Sequence, residues 1–448
     1  MTRSGPDRDS TAQEAGATAH SDSALVWRRS PLASVGMLAA VTLAALGLLL
    51  SRPDVVALGI PLGVTTALAL VRRPSRDGQL QMTLSARAET ENHGRAGDGA
   101  VILGSIDVTA DADWVQLAVD QGGRRTGLAD VGSRNGEART RSRLRHSGPT
   151  DLLAVSARAI AGDGVWISRP VESTELAWNA SPRAVRLDRL PLAPRLTGLH
   201  GSHQGSRAGQ GGDFRDIRAF TSGDELRRVD WRATARLARR PGELLVRRTD
   251  ALSESVVVIV LDTADDLGEV VATWGSGDLE RSGITSLDLG REAALSLATS
   301  AVEGGDRVAF HTLEVGGKTV RGGAGRRHLA LLRDAIAAAG PSGEETRHRR
   351  TPQLPPGAIV FVLSTFFDGE AAQLTSRWHM VGHRVVAIDV LPVPDSTRLA
   401  PEQRTALRTL MAERDDVFAD LRRTGVDVVT WGSGDVATTL RAVARVRR

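Results

Sequence analysis

An α/β fold is expected for the C-terminal half of this chain. It would be a doubly wound sheet, preceded by a small antiparallel β domain and an N-terminal hairpin of two apolar helices. Three observations point that way. From Ser255 onward, short apolar, β-branched runs alternate with stretches of helical periodicity, as in parallel strands buried on both faces. Across residues 78–190, short alternating runs are separated by Gly, Asn, Asp and Ser clusters, the spacing of a small antiparallel domain. Ahead of both stand two uncharged runs, 31–50 and 55–71.

A length of 448 residues leaves room for two or three domains. The hydrophobic share of 41% and charged share of 25% are ordinary for globular protein, which excludes widespread disorder. The formal net charge is only +4, and Lys318 is the sole lysine. No basic stripe is interleaved with aromatics, so no nucleic-acid partner is expected. The absence of cysteine removes disulfides, thiolate nucleophiles and cysteine metal sites, and is compatible with either redox environment.

Residues 1–24, rich in Ser, Thr, Ala and Asp, read as a disordered lead-in. Within 25–76, the run 31–50 is long enough to cross a ~30 Å hydrocarbon layer at ~1.5 Å per residue. The run 55–71 is near the short end of that range and contains Pro61, a kink site. Only residues 51–54 separate the two, which predicts a tight transmembrane hairpin. A cleaved signal peptide is the competing reading, but a long polar segment precedes the first run and a second apolar run follows it. Arg28 and Arg29 flank one end and Arg72, Arg73 and Arg76 the other, so the positive-inside rule places both ends, and the soluble parts, in the cytoplasm.

In the β region the expected strands are 81–86, 101–108, 114–119, 152–157 and 165–167, with 152–160 also readable as helix. A glycine-rich connector, 198–212, follows. Ser222 with Glu225 three residues on makes a capping box for a helix running to about Leu237. Pro241 and Gly242 then break the chain before a strand at 243–248. Beyond lie strands at 256–261, 307–313, 358–363, 385–390 and 427–431, and helices at 289–302, 326–339, 369–379, 401–423 and 436–445. In such a sheet, ligands bind at the C-terminal ends of the strands.

An ordered set of residues carries a resemblance. Gly201, Ser206, Gly209, Gly211, Phe214, Arg218, Gly223, Asp224, Arg227 or Arg228, Val229, Asp230, Trp231, Ala235 and Arg236 lead through Leu245 and Val246 to the strand ending at Asp262. This resembles the domain of unknown function 58 family, which pairs such a motif segment, here 197–250, with a von Willebrand factor A-like, Rossmann-like domain, here 254–448. The resemblance implies an accessory protein without catalytic activity, partnered by a MoxR-type AAA+ ATPase in assembly or maturation of other proteins.

Read as chemistry, Asp224, Arg227, Asp230 and Arg236 alternate in sign at helical spacing, which suits intrahelical and interdomain ion pairs. Trp231 reads as a packing anchor. The functional alternative is a surface for an acidic partner or nucleotide, using Arg207, Arg215, Arg218 and the glycine loop. The resemblance also implies a metal-ion-dependent adhesion motif, Asp-x-Ser-x-Ser, after the first sheet strand. This chain has Asp262, Thr263, Ala264, Asp265 and Asp266 there, and Ser364, Thr365, Phe366, Phe367 and Asp368 where a Ser-Asp pair is expected. That departure favours loss of the site, with Asp262, Asp266 and Asp368 as the alternative ligands for Mg²⁺.

Three apparent motifs lack their context. Gly316 to Thr319 mimics the tail of a phosphate-binding loop, but Thr312 stands where its first glycine belongs, and the following residues suit a hairpin. His379 and His383 lack the glutamate of a zinc protease, and Gly382 ends their helix. The sequence Thr-Trp-Gly-Ser-Gly-Asp occurs at 273–278 and at 430–435, where Asp435 reads as a helix N-cap.

Overall fold

The computed structural model describes residues 16–89, 100–122, 124–188, 190–194, 196, 203–222, 224–276, 281–314, 317–342, 354–432 and 436–445, with backbone alone at 203–213, 215 and 249–252. The chain is a mixed α/β protein that separates into two compact units, 1–145 with 149–178 and 146–148 with 179–448.

In the first unit, β1 (Gly16–Ala24) and β2 (Trp27–Arg29) precede helices α1 (Pro31–Leu49) and α2 (Pro53–Val71). Then come β3 (Gln79–Ala88), β4 (Val101–Ala110), β5 (Trp114–Gln121), β6 (Arg124–Gly132), β7 (Gly136–Arg143), β8 (Gly148–Ala161), β9 (Trp166–Ser168) and β10 (Thr174–Ala180). They form two antiparallel sheets, ordered β1-β3-β4-β7 and β2-β9-β8-β5-β6, with β10 beside β8. Strict alternation along β3 buries Leu80, Met82 and Leu84 on one face.

The disordered lead-in expected over 1–24 is overturned for Gly16–Ala24, which pairs along its whole length with β3, Ala19 opposite Leu84. Its polar composition concealed it, because a strand at a sheet edge needs backbone partners more than apolar side chains. Residues 1–15 lie outside the described residues. The helical hairpin is therefore an insertion between strands that share a sheet.

Proline opens both helices, and Ser30 caps α1 by accepting from the Leu32 N–H at 3.1 Å. Small residues let the two backbones approach: a Cβ on Gly47 would stand 2.6 Å from Val56, and one on Gly59 3.0 Å from the Ala40 carbonyl. Large apolar side chains such as Leu38, Leu48 and Leu58 face outward. Both helices are long and apolar enough to cross a membrane.

The second unit opens with a two-stranded antiparallel ribbon, β11 (His203–Ala219) and β12 (Leu245–Ser253), with helix α3 (Trp231–Leu237) between them in sequence. The sheet follows with β13 (Val256–Leu261), α4 (Ser286–Glu303), β14 (Arg307–Thr312), β15 (Thr319–Gly323), α5 (Arg326–Ala337) and β16 (Ile359–Ser364). It is completed by α6 (Glu370–Met380), β17 (Arg384–Asp389), α7 (Pro401–Arg423), β18 (Asp427–Thr430) and α8 (Val436–Arg445). The strand order is β15-β14-β13-β16-β17-β18, and every pair is parallel except β14 with β15, the hairpin expected after Lys318.

Alternation in β13 divides the core in two. Val257, Ile259 and Leu261 pack with Leu297 of α4, Ile336 of α5 and Leu440 of α8, whereas Val258 and Val260 pack with Trp378 of α6 and Phe418 of α7. Helices thus cover both faces. From β13 the chain builds outward first through β14 and later through β16, so the crevice where the order reverses lies at the C-terminal ends of β13 and β16.

The helix expected from Ser222 is corrected. Leu226–Arg228 is a single 3-10 turn and α3 begins only at Trp231. Val229 forms a bridge with Val246 and the Asp230 N–H donates to the Leu245 carbonyl at 2.9 Å. Those sheet-like contacts take the backbone groups that a continuous helix would have paired internally.

Candidate functional site

Two places bear chemistry: the turn and short helix between β11 and β12, and the rim above β13 and β16. The first is built by two aspartates. Asp224 accepts from the Thr221 N–H at 2.8 Å, from the Thr221 hydroxyl at 3.1 Å, and from the Arg218 guanidinium at 2.7 Å. Arg218 also donates to the Thr221 hydroxyl at 2.7 Å, so strand end and turn form one closed knot. The Thr221 N–H, together with its hydroxyl and Arg218, holds the Asp224 carboxyl below its ordinary range. Asp230 is the N-cap of α3, accepting from the Ala233 N–H at 2.8 Å.

These contacts replace the expected intrahelical ion pairs. Asp224 pairs with Arg218, and Arg227 with Glu225 at 2.7 Å, both outside α3, while Arg236 is exposed on the helix. Trp231 is not a packing anchor: it is 64% exposed, and Leu226 and Leu237 of the same segment are likewise exposed. Underneath, Val229, Ala233 and Val246 are buried and hold the element down. The capping box of Ser222 with Glu225 is not formed, since Glu225 instead serves Arg227 and Arg228. Gly223, Gly201 and the side chains of Arg207 and Arg215 lie outside the described residues, as does Asp435.

At the rim, Asp262 follows the last residue of β13 and meets Ser364, the last residue of β16. The Ser364 hydroxyl donates to the Asp262 carboxylate at 2.7 Å and accepts from the Phe366 N–H at 2.9 Å. The Ala264 N–H donates to the other Asp262 oxygen at 3.1 Å. Burial pushes the Asp262 carboxyl up to about 6, against the Ser364 hydrogen bond and helped by the charges of Asp368 and Asp265.

The three carboxylates named as metal ligands are not gathered. Asp266 accepts from the Leu287 N–H in the first turn of α4 at 3.4 Å, and Asp368 turns to the Glu370 N–H at 3.1 Å, each serving a helix start. Among the described residues, no three His, Asp or Glu side chains stand close enough together to hold a metal ion.

Thr365 and Asp265, which the motif comparison named without a role, complete the rim together with Asp389 and Arg414, which the sequence did not single out. The Thr365 hydroxyl donates to Asp265 at 3.0 Å, and the Thr365 carbonyl accepts from Arg414 Nε of α7 at 2.6 Å. Arg414 pairs with Asp389, the last residue of β17, and lies over the rings of Phe418 and Phe367 at 4.7 and 5.4 Å from their centroids. Arg414 and Asp389 are both buried. Phe366 holds a left-handed φ of 58° with its ring fully enclosed. A signal for Asp389 existed: 385–390 is an apolar strand carrying an aspartate at its end, as 256–262 is. Arg414 had none, since nothing marks one arginine of a charged helix as buried.

His379 and His383 fall as expected, on α6 and beyond it, separated by Gly382 at φ 97°.

The family model described as "Protein of unknown function DUF58" matches residues 216–403, from the end of β11 to the start of α7, and so spans the turn and short helix and all of the rim except Arg414. No curated protein and no solved structure matches the chain. The Arg218–Asp224 knot, the Asp230 cap and the sheet strands from β13 to β17 all lie inside residues 216–403, the stretch of this chain that is similar to the domain of unknown function 58 family.

Proposed function

We propose that the chain is a membrane-tethered interaction module without catalytic activity of its own, whose motif segment engages a MoxR-type AAA+ ATPase in the assembly or maturation of other proteins. Helices α1 and α2 cross the membrane, with both ends and the soluble units in the cytoplasm. The sheet, with its antiparallel edge strand and order reversing at β13, is von Willebrand factor A-like. The observation that carries this reading is the exposed Trp231, set at the first turn of a helix whose underside is buried and whose start is capped. An aromatic held rigid and left in solvent supplies contact area to a partner at little ordering cost.

Full-length protein in detergent, mixed with the purified ATPase, tests it. Trp231→Ala is expected to keep its thermal unfolding midpoint and to lose binding by roughly thirtyfold, the scale of an interface hot spot. Unchanged binding by that variant would remove this face from the function.

A second reading, a Mg²⁺-dependent enzyme or metal-dependent adhesion module using Asp262, Asp266 and Asp368, draws support from the raised Asp262 carboxyl, with Asp368 and Asp265 acting on it. It requires Asp266 and Asp368 to leave their helix-start contacts. On that reading millimolar Mg²⁺ raises the unfolding midpoint of the native chain and not of Asp262→Ala; equal midpoints with and without Mg²⁺ would discard it.

A further inference from the structure

Because strands of one sheet flank the hairpin on both sides, the first unit has almost no linker at its membrane side. Arg29, the last residue of β2, is one residue from α1, and α2 ends seven residues before β3 begins. The turn joining β8 to β9 packs directly on the open end of the hairpin. The Ser30 N–H donates to the Val165 carbonyl at 2.8 Å, and Trp166 Nε1 donates to the Ala69 carbonyl at 3.0 Å. Ala33, Ala69, Ala161, Val165 and Trp166 form one buried cluster across the junction. The turn is tightly wound, with φ of 59°, 51° and 88° at Gly162, Asp163 and Gly164, and a Cβ on Gly164 would stand 3.0 Å from Leu32.

Charge is unequal between the two ends of the hairpin. At the closed end Arg52 is paired with Asp54 at 2.9 Å. At the open end Arg28, Arg29, Arg72, Arg73 and Arg76 are all exposed. Among the described residues none of the five has a carboxylate partner, and Arg73 lies 5.7 Å from the Trp166 ring centroid. Asp77 and Asp163 are the exposed acids nearby in sequence, and the exposed Asp113 accepts from the Gly162 N–H of the turn at 2.7 Å, so five arginines outweigh three carboxylates. Arg28 and Arg29 sit on a strand paired with Ile167 and Trp166, so their backbone positions are set by the sheet.

We propose that these five arginines and the β8–β9 turn form a seat for anionic phospholipid headgroups, which holds the first unit flush against the bilayer. This rests on the reading of α1 and α2 as membrane-spanning. The arginines stand where apolar helices end, which is where headgroup phosphates lie, and guanidinium groups bind phosphate through paired N–H donors. Each basic group near an anionic surface contributes about a fivefold gain in binding.

Full-length protein in nanodiscs of phosphatidylcholine with one quarter phosphatidylglycerol tests the seat by native mass spectrometry of the lipids retained on ejection. Phosphatidylglycerol is expected to be enriched several-fold over its bulk share. The triple variant Arg28→Gln, Arg29→Gln, Arg73→Gln should retain it at its bulk share, and the matching triple change to Lys should keep part of the enrichment. Retention at bulk share by the native chain, or enrichment that survives the glutamine changes, overturns the proposal. Extraction of membranes with alkaline carbonate separates the two failures: a chain released by carbonate sinks the spanning reading itself, whereas one that stays in the membrane without lipid enrichment sinks only the seat.

Discussion

Replacing Arg414 by Ala is expected to lower the stability of the full-length chain by about 3–5 kcal/mol, the cost of stranding a buried charge. The loss has two sources. Asp389 keeps only the Leu391 N–H, at 2.9 Å, and the Thr430 hydroxyl as partners for a carboxylate inside the rim, and the Thr365 carbonyl loses its donor. Burial pushes the Asp389 carboxyl up and the Arg414 guanidinium down, and their mutual attraction opposes both shifts, helped on Asp389 by the Leu391 N–H and the Thr430 hydroxyl. The paired change Asp389→Asn with Arg414→Met, which removes both charges at closely similar side-chain volume, should recover part of the loss. Denaturant unfolding followed by tryptophan fluorescence measures all three; a drop below ~1 kcal/mol for Arg414→Ala would mean that water already reaches the pair. The rim would register the change as well, because Arg414 fastens the Thr365 segment on one side while Asp262 and Asp265 fasten it on the other.

Asp262→Asn should change how stability depends on pH, and in a direction opposite to an ordinary paired carboxylate. The folded-state value of about 6 lies above the ordinary 3.8. Between those values the folded chain holds a proton that the unfolded chain has released. Native stability therefore declines as pH rises from about 4 to about 6 and levels off above, by up to about 3 kcal/mol for a shift of two units. Asn carries no such charge. Its unfolding midpoint should exceed that of the native chain at pH 8, and the two should converge near pH 4, apart from a constant offset from altered hydrogen bonding to Ser364 and Ala264. Parallel curves across that window would show that Asp262 ionises freely. A costly carboxylate at the crevice between β13 and β16 is also why this rim is worth testing for a ligand.

The secondary structure of the second unit was largely legible in the sequence. The apolar runs at 256–261 and 385–390 cannot be exposed, and the helices expected at 401–423 and 436–445 coincide with α7 and α8. Hydrophobic periodicity reports burial directly, and here burial and secondary structure agree. The motif segment was legible as a motif and misread as a structure. Ser222 with Glu225 satisfies a local capping rule, but β12 offers Val229 and Asp230 backbone partners from more than ten residues away, and no local rule anticipates that.

The sequence by itself determined the two apolar helices, their tight connection, the arginines flanking them, and a chain of apolar strands with Asp262 at the end of the first. Each follows from short-range pattern, because length, charge and periodicity act on neighbouring residues. Only the tertiary structure decided that Gly16–Ala24 returns to pair with β3 across the hairpin, that Trp231 stays in solvent, and that Asp262 meets Ser364 while Asp266 and Asp368 turn to helix starts. Those outcomes depend on which distant backbone and side-chain groups compete for the same hydrogen bonds, and that competition is settled when the sheets close, not along the chain.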